Sequence, residues 1–141
     1  MTLYLDTSAL VKLLVTEPGS EAVRAEAAAA TELVSSHLTY VEIHSALARM
    51  HAGGRLTRRV HRRQLDAFVR MWEDVVVVPA DAPVIDRAAA LAERHVLRGF
   101  DALQLASAVE LLGAGPARFA SWDERLNAAA ARERLELIPL G

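Results

Sequence analysis

The 141 residues contain no cysteine. That absence removes a disulfide framework, a thiol nucleophile and every zinc site built on thiolates. Long apolar runs are missing too: nothing approaches the roughly 18 residues needed to cross a bilayer. Met1 leads directly into Thr2-Leu3-Tyr4-Leu5-Asp6, without the basic start and apolar stretch of a secretory leader. A cytoplasmic location and no membrane partner are therefore expected. No strand-like segment is followed by a glycine-rich phosphate loop, and Asp6-Thr7-Ser8 lacks the second aspartate of an aspartyl-phosphate phosphatase. Ser8 has no partnered histidine and makes a poor hydrolase nucleophile.

What is present is the composition of a globular chain, 52% hydrophobic and 24% charged. The length suits one domain with a real core and is short for two. The net charge of −2 hides an asymmetry. Of the 16 basic residues only Lys12 is not arginine, and Arg49, Arg55, Arg58, Arg59, Arg62 and Arg63 crowd one short segment.

Apolar periodicity alternates short strands with helices. Strands are expected at 3–5, 33–36, 75–78, 117–121 and 135–138, with the run Val75-Val76-Val77-Val78 the strongest of them. Helices are expected at 9–15, 21–30, 40–51, 57–72, 83–94, 102–112 and 124–132, with turns at 17–20 and 113–116. Helices between strands imply parallel pairing. The expected fold is α/β, a three-layer α/β/α domain over 1–141 with a mostly parallel central sheet.

Four acids stand out on this frame. Taken singly, each has a structural explanation. Asp6 follows the first strand as a helix N-cap. Thr39 and Glu42 fit an S/T-x-x-E capping box. Asp101 lies at a helix start after Gly99-Phe100. Ser121 and Glu124 form a second capping box, which leaves Asp123 in a first helical turn. Taken together they say more. In open parallel sheets, ligand sites form beyond the carboxyl ends of the strands, and helix starts there gather these carboxylates towards one cleft. Four clustered carboxylates repel each other unless something compensates them. Mg²⁺ or Mn²⁺ fits an oxygen-only cluster, and such ions activate water and neutralise charge on a phosphodiester.

The same residues carry a resemblance. Leu5-Asp6-Thr7-Ser8-Ala9-Leu10-Val11-Lys12-Leu13 resembles the opening motif of PIN-domain nucleases, VapC-type toxins in particular. Tyr40-Val41-Glu42-Ile43-His44-Ser45-Ala46-Leu47-Ala48-Arg49 resembles their second motif. Leu97-Arg98-Gly99-Phe100-Asp101-Ala102-Leu103-Gln104-Leu105-Ala106-Ser107-Ala108 resembles the third, and Phe119-Ala120-Ser121-Trp122-Asp123-Glu124-Arg125-Leu126 the fourth. The motifs stand in family order and span nearly the whole chain. Two positions depart: Trp122 stands where a small residue or Phe is usual, and Gln104 where His is common.

The resemblance implies a Mg²⁺- or Mn²⁺-dependent endoribonuclease, the toxin of a type II toxin–antitoxin pair. It implies Asp6 and Asp101 as principal metal ligands, with Glu42 and Asp123 completing the cluster directly or through water. The Ser8 hydroxyl would orient water or a carboxylate beside the ligands. It also implies RNA as substrate, a VapB-like antitoxin and a homodimer. Two other readings stay open: a non-catalytic RNA- or antitoxin-binding module of the same fold, and a structure-specific DNA nuclease.

The arginines from Arg49 to Arg63 are candidates for RNA or partner contact, since guanidinium suits phosphate. The rival reading is a solvated helical face. Phe68, Met71 and Trp72 read as core or interface. His37, His44 and His51 recur every seven residues, too far apart for the i, i+4 pairing of helical metal ligands, with His37 placed ahead of the helix that carries the other two. His44, two residues from Glu42, is a candidate for the cleft lining.

Overall fold

The alternation in the sequence resolves into five strands joined by helices. The computed structural model describes residues 1–111 and 115–139. The turn expected over 113–116, and the end of the helix expected over 102–112, lie partly outside them. In chain order the described elements are β1 (Thr2–Leu5), α1 (Thr7–Leu14), α2 (Ser20–Ala29), β2 (Glu32–Ser36), α3 (His37–Ala52), α4 (Arg58–Trp72), β3 (Val76–Val78), α5 (Ala82–His95), α6 (Gly99–Val109), β4 (Ala117–Ala120), α7 (Glu124–Arg132) and β5 (Glu136–Leu137). The strands form one sheet in the order β3-β2-β1-β4-β5, and every pairing is parallel.

Side-chain alternation along the strands divides the interior into two cores. Leu3 and Leu5 of β1 and Ala120 of β4 face a cluster with Leu10 of α1, Val23 of α2, Ile43 of α3 and Phe68 of α4. Tyr4 and Phe119, their neighbours in sequence, face the opposite cluster with Leu91 of α5, Leu105 of α6 and Leu126 of α7. One face thus carries α1–α4 and the other α5–α7, which makes the three layers. Tyr4 and Phe119 stack at 5.6 Å between ring centroids on the two central strands. Each buried ring or aliphatic side chain adds about 1.5–3 kcal/mol.

Three local expectations need correction. The helix expected from Tyr40 begins at His37, because Ser36 ends β2 and caps α3 at once, its hydroxyl accepting from the Leu38 amide at 3.1 Å. His37 is therefore the first helical residue rather than one ahead of the helix. The four-valine run is a short edge strand: Val75 is held in a turn by the Trp72 carbonyl at 3.1 Å, and only Val76–Val78 pair, with β2. An edge strand has one neighbour, so β-propensity alone does not lengthen it. The third correction concerns the start of α7, which Asp123 caps itself, accepting from the Leu126 amide at 3.0 Å, while Ser121 Oγ accepts from the Asp123 amide.

The turn between α1 and α2 bears on the same loop. Gly19 has φ +95°, and a Cβ there would lie 2.8 Å from the Trp122 indole. The unusual Trp122 is seated on a bare glycine backbone, with Lys12 Nζ 5.0 Å from the ring centroid on a cation–π path. Gly54 also has positive φ, +81°, but open space beside it. Gly54→Ala should therefore show only the left-handed backbone cost, about 1–2 kcal/mol, whereas Gly19→Ala should lose clearly more. Urea midpoints of the two variants compare them directly; equal losses would mean that the indole contact contributes nothing.

Candidate active site

Beyond β1 the chain turns to one face of the sheet as α1, and beyond β4 to the other face as α7. Their carboxyl ends part between neighbouring strands, the crevice in which open parallel sheets bind ligands. Asp6 closes β1, its amide donating to the Ala120 carbonyl of β4 at 3.1 Å. Its carboxylate caps α1, accepting from the Ala9 amide at 2.9 Å and from Ser8 Oγ at 2.7 Å. Ser8 Oγ in turn accepts from the Trp122 amide at 3.0 Å, stitching the two crevice loops together. The N-cap reading of Asp6 is correct, and it does not compete with a place in the crevice.

Glu42 does not form the capping box expected with Thr39, because Ser36 already caps α3. Glu42 Oε1 instead accepts from Thr7 Oγ1 at 2.5 Å and from Gln104 Nε2 at 3.1 Å. Thr39 is buried, hydrogen-bonded to Ser35 at 2.9 Å and to Gln104 Nε2 at 2.9 Å. Gln104 is thus the hub of a buried polar network. Tyr4 fixes its orientation: burial, then the negative charge of Asp6, raises the phenol well above its usual pKa. Tyr4 therefore stays a donor, to Gln104 Oε1 at 2.6 Å, and the amide nitrogen must point at Thr7, Thr39 and Glu42. The network escapes sequence reading because its members lie on five separate elements.

Asp101, expected just before a helix, lies in the first turn of α6. It lines one pocket with Glu42, Arg98 and Phe100, and an adjoining one with Asp123, Arg98 and Arg125, of about 470 and 230 Å³. Asp101 is the acid common to both. Its pKa is raised, first by partial desolvation and then by the charges of Asp123 and Glu42, with Arg98 pulling the other way. Burial pushes Asp6 up to about 6; the Ser121 and Ser8 hydroxyls and the Ala9 amide oppose the rise, and Asp123 adds to it. The electrostatics thus links all four acids around one crevice.

This donor set fits a hard divalent cation. It is all oxygen, and Asp6 and Asp101 are destabilised first by burial and then by neighbouring acids, with Arg98 opposing the rise at Asp101. Among the described residues, no three His, Cys, Asp or Glu side chains converge tightly enough to hold an ion by themselves. Mg²⁺ or Mn²⁺, which keep several waters, suit so open a set better than an ion that needs a closed protein shell. His44 and His51 are engaged elsewhere. His44 packs against Tyr40 and Phe68, its Nδ1 2.7 Å from the Tyr40 carbonyl, and His51 stacks on His61.

The six arginines from Arg49 to Arg63 are all exposed. Arg49 donates to Ser45 Oγ and Arg55 pairs with Glu17, while Arg58, Arg59, Arg62 and Arg63 project from α4. The arginines that line the acidic pockets are Arg98 and Arg125, which sequence reasoning missed. The available signal was their place within the third and fourth motifs, three residues before Asp101 and two after Asp123. Phe68, Met71 and Trp72 belong to the core on the α1–α4 face.

The comparisons with known proteins agree with this geometry. Residues 3–132 match the family model described as PIN domain. Over 131 residues the chain is 39% identical to Ribonuclease VapC45 of Mycobacterium tuberculosis, covering 90% of this chain and 88% of that protein. FitAcB from Neisseria gonorrhoeae superposes with a TM-score of 0.70 at 17% identity, covering 97% of this chain and 96% of that one. A toxin–antitoxin complex from Klebsiella pneumoniae gives 0.63 at 17% identity, covering 86% of each chain.

Two measurements follow from the buried polar groups. In EDTA, Asp6→Asn should stabilise the protein, since Asn caps a helix as well as Asp does and carries no charge to desolvate. The folded pKa of about 6 lies above the ordinary 3.8, so ionised Asp6 costs stability above pH 6. The gain should be about 1–3 kcal/mol at pH 7–8 and fade below about pH 4, where both states are protonated; thermal melts across pH read it. Gln104→Leu removes the acceptor of the buried Tyr4 hydroxyl, while Thr39 keeps its bond from Ser35, and should cost about 1–3 kcal/mol. Adding Tyr4→Phe should return part of that loss in urea unfolding.

Proposed function

Since this chain belongs to the PIN-domain family, among the VapC ribonuclease toxins, we propose that it is a Mg²⁺- or Mn²⁺-dependent endoribonuclease whose centre is Asp6, Glu42, Asp101 and Asp123. The observation that carries this reading is the electrostatic frustration of the crevice: Asp6 and Asp101 are both raised, by burial and by neighbouring acids, with Arg98 opposing only at Asp101 and, among the described residues, no salt bridge to either. A protein keeps such a cluster at a cost in stability, and a divalent cation relieves it.

A bound cation would supply Lewis acidity to a phosphodiester oxygen and lower the pKa of an attacking water. Asp6 and Asp101 would hold it, with Glu42 and Asp123 ligating directly or through water. The remaining steps rest on the protein's own groups. Thr7 and Gln104 aim Glu42 into the crevice and leave it no freedom to turn away. Ser8 and the Ala9 amide hold one oxygen of the Asp6 carboxylate and so fix the direction of the other. Arg98 and Arg125 line the pocket of Asp101 and Asp123, and supply positive charge for the phosphate chain on either side of the cut. The exposed arginines of α4 suit a longer stretch of RNA or a partner. A VapB-like antitoxin is assigned as that partner, one whose basic side chain could take the cation's place among the acids. A homodimer completes the assembly.

The test measures cleavage of single-stranded RNA, duplex RNA and single-stranded and flap DNA, with Mg²⁺ or Mn²⁺ and with EDTA. RNA should be cut and DNA spared, EDTA should abolish cutting, and Asp101→Asn should lower the rate by at least about a hundredfold. Differential scanning should show Mg²⁺ raising the Tm of the parent protein but not of Asp6→Asn. Cutting that survives both EDTA and Asp101→Asn would remove the metal mechanism. RNA binding without cutting under any metal would identify a non-catalytic module.

A further inference from the structure

Phe100 is out of place for an aromatic ring. It stands on the first turn of α6 beside Asp101 with 65% of its surface exposed, while Phe68 and Phe119 are fully buried. Phe100 lines two pockets of different character. One is the acidic pocket of Glu42, Asp101 and Arg98. The other is a groove of about 300 Å³ with Ile85, Ala89 and Ala92 of α5, lined almost wholly by apolar atoms. An acidic pocket and an apolar slot therefore meet at one residue.

Arg98 sits at the same junction. It is exposed, lines both acidic pockets and lowers the pKa of Asp101 through its charge, yet among the described residues it forms no ion pair. Its guanidinium is available to an anion. A nucleotide has the division this junction has: a phosphate at one end and a flat base with two π faces at the other. Base-on-aromatic stacking is tolerant of sequence, while a duplex keeps both faces of its bases occupied.

We infer that Phe100 and Arg98 form a nucleotide subsite, in which Phe100 stacks the base of an unpaired ribonucleotide next to the scissile phosphate and Arg98 holds that nucleotide's phosphate. The subsite rests on the nuclease reading above and adds to it a preference for unpaired RNA. It requires the base to enter the slot between α5 and α6, where Ile85 meets its far edge. No base-specific hydrogen bond is offered there, so the subsite selects strandedness rather than sequence.

The experiment measures affinity in an Asp101→Asn background, which prevents cutting, with Mg²⁺ and a fluorescent twelve-nucleotide single-stranded RNA. Phe100→Ala should weaken binding about tenfold. Phe100→Leu, which keeps apolar volume without a ring, should lose most of the same affinity, and Phe100→Trp should retain it. Replacing nucleotides one at a time by abasic residues should reveal one position whose loss equals that of Phe100→Ala and is not additive with it. A fully paired RNA should bind Phe100→Ala as well as the parent. Arg98→Gln should flatten the salt dependence by about 0.7 in log–log slope.

Unchanged single-strand affinity in Phe100→Ala overturns the subsite while cutting by the native chain leaves the nuclease reading intact. A change of oligomeric state in Phe100→Ala by sedimentation also overturns it, and makes the slot a face between copies. A native chain that neither binds nor cuts any RNA overturns both.

Discussion

The stitch between Asp6, Ser8 and Trp122 is the interaction on which the crevice depends. Asp6 ends β1, caps α1 and takes a hydrogen bond from Ser8, whose oxygen receives the amide of the loop after β4. Two strands that pair side by side send their chains to opposite faces at that point, so the backbone must open there. The same few atoms that hold the opening together also place a carboxylate in it. Trp122 locks the outer side of that loop, and only a residue without a side chain at Gly19 leaves room for the ring.

From that constraint the energetics of the site follow. A buried carboxylate with a pKa pushed up to about 6 opposes folding at neutral pH, and Asp101, raised by its acidic neighbours, adds to the opposition. The compensation lies in the network below. Tyr4, buried and protonated, fixes the Gln104 amide, and Gln104 with Thr7 fixes Glu42. Where the resembled proteins commonly carry an imidazole, this chain carries an amide that holds the same direction at every pH. The crevice is thus held firmly by its supports, while its acidic charges are opposed only in part, by Arg98 at Asp101 and by hydroxyls and an amide at Asp6.

The positive charge is distributed in two tiers. Arg98 and Arg125 stand at the acids, each on the first helical turn or cap of the element that carries one of them. The denser arginine segment on α3 and α4 lies on the outside of the other helical layer, partly engaged with Ser45 and Glu17. The cluster conspicuous in sequence lines neither acidic pocket, and two isolated arginines do.

Much of the fold was legible from the sequence, because short apolar segments between helical periods leave little choice but parallel strands, and Asp6, Asp101 and Asp123 each sit at a strand end or helix start, with Glu42 in the second turn of α3. The parallel sense of the strands, the layers and the cap at Asp6 follow from local pattern, whereas the strand order β3-β2-β1-β4-β5 is a matter of tertiary pairing. The capping boxes at Thr39–Glu42 and Ser121–Glu124 did not follow, since a capping signal is short-range and a competing cap one strand-end away, Ser36 or Asp123, wins by geometry alone. The extent of the valine run failed for a similar reason: pairing needs a neighbour, and an edge has one. What the sequence by itself determined is the set of acids, the absence of thiols and the alternation that builds a parallel sheet. Which arginines meet those acids, which hydroxyls and amide aim them and which ring stands exposed beside them were decided only by the tertiary structure, because those relations join residues up to a hundred positions apart through a packed core that no local pattern records.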